Sequence, residues 1–181
     1  MKYTFNLAGI LVTLFMLSSC GGEKAAKEET ATDTAAYAPS TVSKPYDATN
    51  IDPNAPVMEI SLEALGNSMD VMSFSMNEIR VKSGSTVKLH FKNTATDKAM
   101  KHNFFVVKNG SAESVAMEGN TAGPDKNFIP DDRANILFAS KVLEPGQSED
   151  LIFAAPPSGT YQFVCTYPGH WQRMNGKFIV E

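Results

Sequence analysis

The chain has 181 residues, of which 43% are apolar and 20% charged, and its formal net charge is −4. That is enough apolar material for one folded domain, and the weakly acidic balance lacks the basic stripe that nucleic-acid binding needs. Its only cysteines, Cys20 and Cys165, stand in very different surroundings.

A single positive charge, Lys2, precedes the apolar run Leu7–Leu17, which leads into Ser18-Ser-Cys20-Gly-Gly. The run is too short for a membrane span, which needs about 20 apolar residues, and residues 1–19 read as an export signal. Leu17-Ser-Ser-Cys20 resembles the lipobox of bacterial lipoproteins. The resemblance implies that Cys20 becomes the lipidated first residue of the mature protein, anchored to a membrane on the periplasmic side. The alternative is an ordinary cleaved signal that happens to contain a cysteine. Gly21 carries no acidic sorting cue, which favours the outer membrane. Residues 20–56 are then a lipidated terminus and flexible linker, rich in Ala, Thr, Lys, Glu and Pro. Such a segment buries too little apolar surface to offset its ordering entropy. Tyr37 and Tyr46 are its only aromatic residues, too sparse to argue a fold.

Residues 57–181 read as one domain of short strands. Met58, Ile60 and Leu62 alternate, and Val87, Leu89 and Phe91 do so more clearly. Ser83-Gly-Ser85, Glu144-Pro-Gly-Gln147, Pro156-Pro-Ser-Gly159 and Asn175-Gly176 punctuate them as turns. Strands are expected over 57–62, 71–75, 78–82, 86–92, 103–108, 136–140, 148–154, 160–165 and 176–180. The fold class is all-β, a sandwich or barrel. An insert between Gly110 and Arg133 contains a short helix over Ser111–Glu118 and then surface loop, with Asp131-Asp132 a solvated turn.

The chemistry concentrates in Cys165-Thr-Tyr-Pro-Gly-His170-Trp-Gln-Arg-Met174, with His102 upstream. Two His and one Cys with a weak axial Met are the ligands of a blue-copper electron-transfer site. Thiolate and thioether are soft and hold Cu(I), while imidazole suits either oxidation state. The expected strand boundaries put Cys165 at the end of one strand and Met174 before the last, so the ligand loop is a hairpin connection, while His102 starts its own strand. With Cys20 lipidated, Cys165 is the one thiol left in an exported chain, and a metal accounts for it. Zinc also accepts Cys and two His, although an axial Met adds little for it. Cys165 with His102 and Asn103 offers a Cys-His-Asn hydrolase constellation, weakened because adjacent strand residues point to opposite faces. His90 is out of phase with its apolar neighbours and is expected to face solvent. Met58, Met69, Met72, Met76, Met100 and Met117 are expected mostly to fill core gaps, with Met100 and Met117 alternatively lining an apolar rim.

Cys-Thr-Tyr-Pro-Gly-His within Cys-x4-His-x3-Met resembles the copper loop of azurins and of auracyanin-like cupredoxins. Met100-Lys-His102-Asn-Phe resembles the segment carrying their first His ligand, and Asn127-Phe-Ile-Pro-Asp-Asp-Arg133 the end of their mid-chain flap. The resemblance implies a cupredoxin Greek-key β-sandwich with one type 1 Cu(I)/Cu(II) ion on His102, Cys165, His170 and Met174. It further implies backbone N–H groups of Asn103 and Tyr167 on the thiolate sulfur. Lys101 stands where azurins have a glycine whose carbonyl is a distant fifth contact. The azurin disulfide near the N-terminus has no counterpart. The function implied is that of a monomeric electron carrier, not an enzyme, whose redox partner proteins are cytochromes or copper oxidases and reductases. Copper storage or delivery is the alternative. Partners are expected to dock over Trp171, where the His170 ring edge approaches the surface.

Overall fold

Period-two alternation builds the first of two sheets. In β4 (Thr86–Asn93), Val87, Leu89, Phe91 and Asn93 point inward, while His90 and Lys92 face solvent. Side chains alternate across a strand, so one face is committed to a core. β1 (Val57–Leu65) lies parallel to β4 on one side, and β7 (Ser148–Ala154) lies antiparallel on the other. With β2 (Ser73–Phe74), this gives the order β2-β1-β4-β7. The computed structural model describes residues 46–181.

The second sheet has the order β3-β9-β8-β5-β6, formed by β3 (Glu78–Val81), β5 (Phe105–Lys108), β6 (Ile136–Ala139), β8 (Gly159–Val164) and β9 (Asn175–Val180). The chain passes repeatedly between the sheets, a Greek-key β-sandwich with one small α-helix among the described residues. Between them lies a core rich in phenylalanine. Phe74 from the first sheet meets Phe163 of the second edge-on at 5.4 Å, and Phe153 meets Phe178 at 6.2 Å. Fully burying each such ring stabilises the fold by roughly 1.5–3 kcal/mol.

β5 departs from alternation: Phe105, Val106 and Val107 are all buried. Val106 belongs to the core between the sheets. Phe105 and Val107 face outward into a second cluster with Val164, covered by Ala112 and Val115 of α1 (Ala112–Ala122). The helix runs to Ala122, past the expected end at Glu118, because Gly119, a weak helix former, is buried against Phe128.

Two boundaries differ from the sequence expectation. His102 does not start β5; it forms an isolated bridge to Leu143, with amides donating in both directions at 3.2 and 2.7 Å. The packed domain also begins before Val57. Tyr46 Oη donates to the Ala154 carbonyl at 2.7 Å, and the Ala154 amide donates to Ala48 O at 2.8 Å. Asp47 and Asp52 close Asx turns onto Thr49 and Asn54. Residues 46–56 are thus a strap on the sandwich rather than linker. Cys20, Tyr37 and the export signal over 1–19 lie outside the described residues.

Candidate metal centre

The loop from Cys165 to Met174 is closed at its base by the strand ladder. The Cys165 amide donates to the Met174 carbonyl at 2.9 Å, continuing the β8–β9 pairing. Inside the loop, His170 N donates to Tyr167 O at 3.0 Å, and His170 O accepts from Arg173 N and Met174 N at 3.1 and 2.9 Å. Gly169 at φ +82° makes the reversal, and a Cβ there would also come within 2.8 Å of Met69 Cε. The ligand loop is therefore folded on its own backbone.

His102 is supplied from the other side of the core. Its bridge to Leu143 fixes the backbone, and the buried Asn93 amide group donates to the Met100 and Leu143 carbonyls at 2.8 and 3.2 Å. Cys165, His102 and Met174 are fully buried, and His170 is 1% exposed. By exposure the two histidines are thus almost equally shielded, although the neighbours of His170, Gly169 and Trp171, reach solvent.

Three donor atoms converge. His102 Nδ1 and His170 Nδ1 are 3.1 Å apart, and Cys165 Sγ lies 3.9 and 3.7 Å from them. The point equidistant from all three is about 2.1 Å from each, within the roughly 2.0–2.3 Å range of metal–nitrogen and metal–sulfur bonds. Among the described residues this is the one group of three or more His, Cys, Asp or Glu side chains so placed. Burial pushes the Cys165 thiol up to about 12, against the pull of backbone N–H groups from Asn103 and Tyr167 that hydrogen-bond its sulfur. Burial likewise pushes His102 and His170 down to about 4, aided in His102 by the facing His170. At neutral pH both imidazoles are therefore uncharged with lone pairs to offer, and metal binding would displace the thiol proton. Two facing lone pairs at 3.1 Å repel unless a cation or a shared proton lies between them. The residues fit a thiophilic metal ion.

A family model described as copper binding proteins, plastocyanin/azurin family, matches residues 60–181. The chain belongs to this family of copper-binding proteins. Its members are electron carriers rather than enzymes and hold one copper, and His102, Cys165, His170 and Met174 form the arrangement of a type 1 site. Similar copper proteins include Auracyanin-A of Chloroflexus aurantiacus, 36% identical over 65% of this chain and 72% of that one. An azurin of Achromobacter denitrificans is 29% identical over 67% of this chain and 85% of that one. Among solved structures, the dithionite-reduced auracyanin of Roseiflexus castenholzii superposes with a TM-score of 0.61 at 40% identity, over 68% of this chain and 96% of that one.

The remaining sequence-derived residues around the copper centre sort as follows. The Asn103 side chain is turned away from the histidines: its Oδ1 accepts from Thr166 N at 2.7 Å and its Nδ2 donates to Thr166 Oγ1 at 2.8 Å. That pairing, together with the raised thiol, removes the hydrolase constellation. Lys101 has a negative φ and turns its ammonium to Glu144 at 2.7 Å. Trp171 is half-buried and packs on the cluster beneath α1. His90 is exposed, as expected, and paired with Asp150 at 2.7 Å. Of the methionines, Met72 and Met100 are buried, while Met69, Met76 and Met117 are exposed. His102 Nε2 is buried without a hydrogen-bond partner among the described residues. Sequence reasoning passed over Thr166 and Phe128. The one available signal was Asn103, a polar side chain next to a ligand, which when buried needs partners.

Proposed function

We propose that this protein shuttles single electrons through one type 1 copper held by His102 Nδ1, His170 Nδ1 and Cys165 Sγ, with the Met174 thioether as weak axial donor. The observation that carries this reading is the buried donor triangle with edges of 3.1, 3.7 and 3.9 Å. Copper bound there would supply a one-electron Cu(I)/Cu(II) couple. The chain supplies the conditions. The soft thiolate and thioether can hold the ion in its reduced state as well as its oxidised one, and the Asn103 and Tyr167 N–H groups draw charge from the sulfur and tune the potential. Closed packing around all four side chains excludes water and opposes the ligand exchange that copper storage or delivery needs.

Electrons would pass to redox partner proteins at the loop end of the sandwich. There Met69 and Met117 are 44% and 62% exposed, and Met117 shares a cleft with Gly169 and Trp171. Transient redox contacts are small, so one charge placed on such a face matters. Trp171→Lys should slow self-exchange between oxidised and reduced copies by about tenfold, or 1.4 kcal/mol of barrier, with the visible spectrum intact. Unchanged NMR line broadening in a half-reduced sample of that variant would exclude this face.

For location, the reading is an exported protein anchored through lipid on Cys20, on the periplasmic side and at the outer membrane. Its support is the Leu17-Ser-Ser-Cys20 sequence. Cys20→Ala should move the protein from the membrane to the soluble fraction. Mass spectrometry finding an unmodified N-terminal residue on the mature native protein would refute it.

A further inference from the structure

Gly119 is the sole glycine inside α1, and it sits where helix and flap meet. A Cβ there would overlap the Phe128 carbonyl oxygen, and would lie 3.3 Å from the Phe128 carbonyl carbon and 3.5 Å from Thr166 Cβ. The bare helix backbone is therefore in contact with both the flap and the residue after Cys165.

The flap carries a matching irregularity. Asn127 and Phe128 have φ of +52° and +57°, the only non-glycine residues with positive φ among those described. Asparagine tolerates this region, but phenylalanine does so only when its surroundings impose it. The imposed shape has two results. The Phe128 carbonyl accepts the Thr166 hydroxyl at 3.2 Å, and the buried Phe128 ring stands edge-on to Tyr167 at 5.1 Å. Tyr167 in turn gives its N–H to the Cys165 sulfur and lays its ring against His170 at 4.9 Å.

We infer that Gly119 and Phe128 are positioning residues for the copper: the helix presses the strained Phe128 onto Thr166 and Tyr167, and so sets the Tyr167 N–H···Sγ hydrogen bond and the His170 ring tilt. This rests on the copper reading above. Through it, an insert with no ligand of its own adjusts the balance between the two oxidation states. A longer hydrogen bond leaves more electron density on sulfur, which favours Cu(II).

Gly119→Ala separates positioning from mere packing. On helix propensity alone, alanine should stabilise the helix and leave the site unaltered. If the helix positions the site, the Phe128 carbonyl must shift. The ratio of the two visible charge-transfer bands should then change, and the equilibrium with a redox mediator should move at least threefold toward the oxidised form. In the metal-free protein, the Tyr167 amide should exchange with solvent at least tenfold faster. Phe128→Gly serves as the second variant: glycine takes positive φ without strain, so the backbone route survives and only the ring on Tyr167 is lost. The same direction of change is expected there. If both variants bind copper with the parental band ratio, mediator equilibrium and Tyr167 exchange, the inference is overturned. If the parent itself shows no intense band with copper, it is the copper reading that fails.

Discussion

Cys165→Ser is expected to abolish the intense visible absorption of the copper-loaded protein. That band needs electron transfer from a thiolate sulfur into Cu(II), and a serine oxygen lies too low in energy to donate in the visible range. The substitution is close in volume at a fully buried position, so the core remains filled. The Asn103 and Tyr167 N–H groups that reach the sulfur would face an oxygen instead. The two Nδ1 atoms would remain, so a weakly coloured His-bound copper is the expected residue of the site. A loss of at least tenfold in molar absorbance, with the circular dichroism of the metal-free protein unaltered, is the result in favour. An unchanged spectrum in Cys165→Ser would sink the whole functional reading.

Met174→Leu should do the opposite: keep the colour and raise the potential. Met174 is fully buried and held by the His170 carbonyl through its amide, so its thioether has no role in solvent. Leucine conserves volume, and such swaps usually cost under about 1.5 kcal/mol. Removing a weak donor disfavours Cu(II) more than Cu(I). An increase of about 59 mV or more, a tenfold shift for one electron, is expected. A potential equal to or below the parent's would show that Met174 is not the axial donor.

The ligand loop was legible because three of its donors crowd between Cys165 and Met174, where a hairpin connection brings them together whatever the details of the fold. His102 was legible only through its likeness to a known segment, since its partner in the backbone is Leu143, far along the chain. Strand positions followed from period-two patterns such as that of β4. β5 was found but its two-sided burial was not, because nothing in Phe105–Lys108 says that a helix covers its outer face. Phe128 carries no sequence signal for its left-handed backbone, since that conformation is imposed by its neighbours and not by its side chain. The strap was missed for a similar reason. Its anchors are a tyrosine hydroxyl on a carbonyl 108 positions away and one backbone hydrogen bond beside it, in a stretch whose composition resembles a tether.

That strap fixes where the described chain enters the domain. Tyr46 and Ala48 fasten at Ala154, just before the turn that starts β8. Cys165 follows the other end of that strand, six residues on, or about 20 Å at the usual rise. Tyr46 therefore lies at the foot of the sandwich, with the copper loop at its head. A protein meeting the copper loop therefore has no need to displace the strap, and a change at Tyr46 would be felt at the end of the domain away from the redox surface.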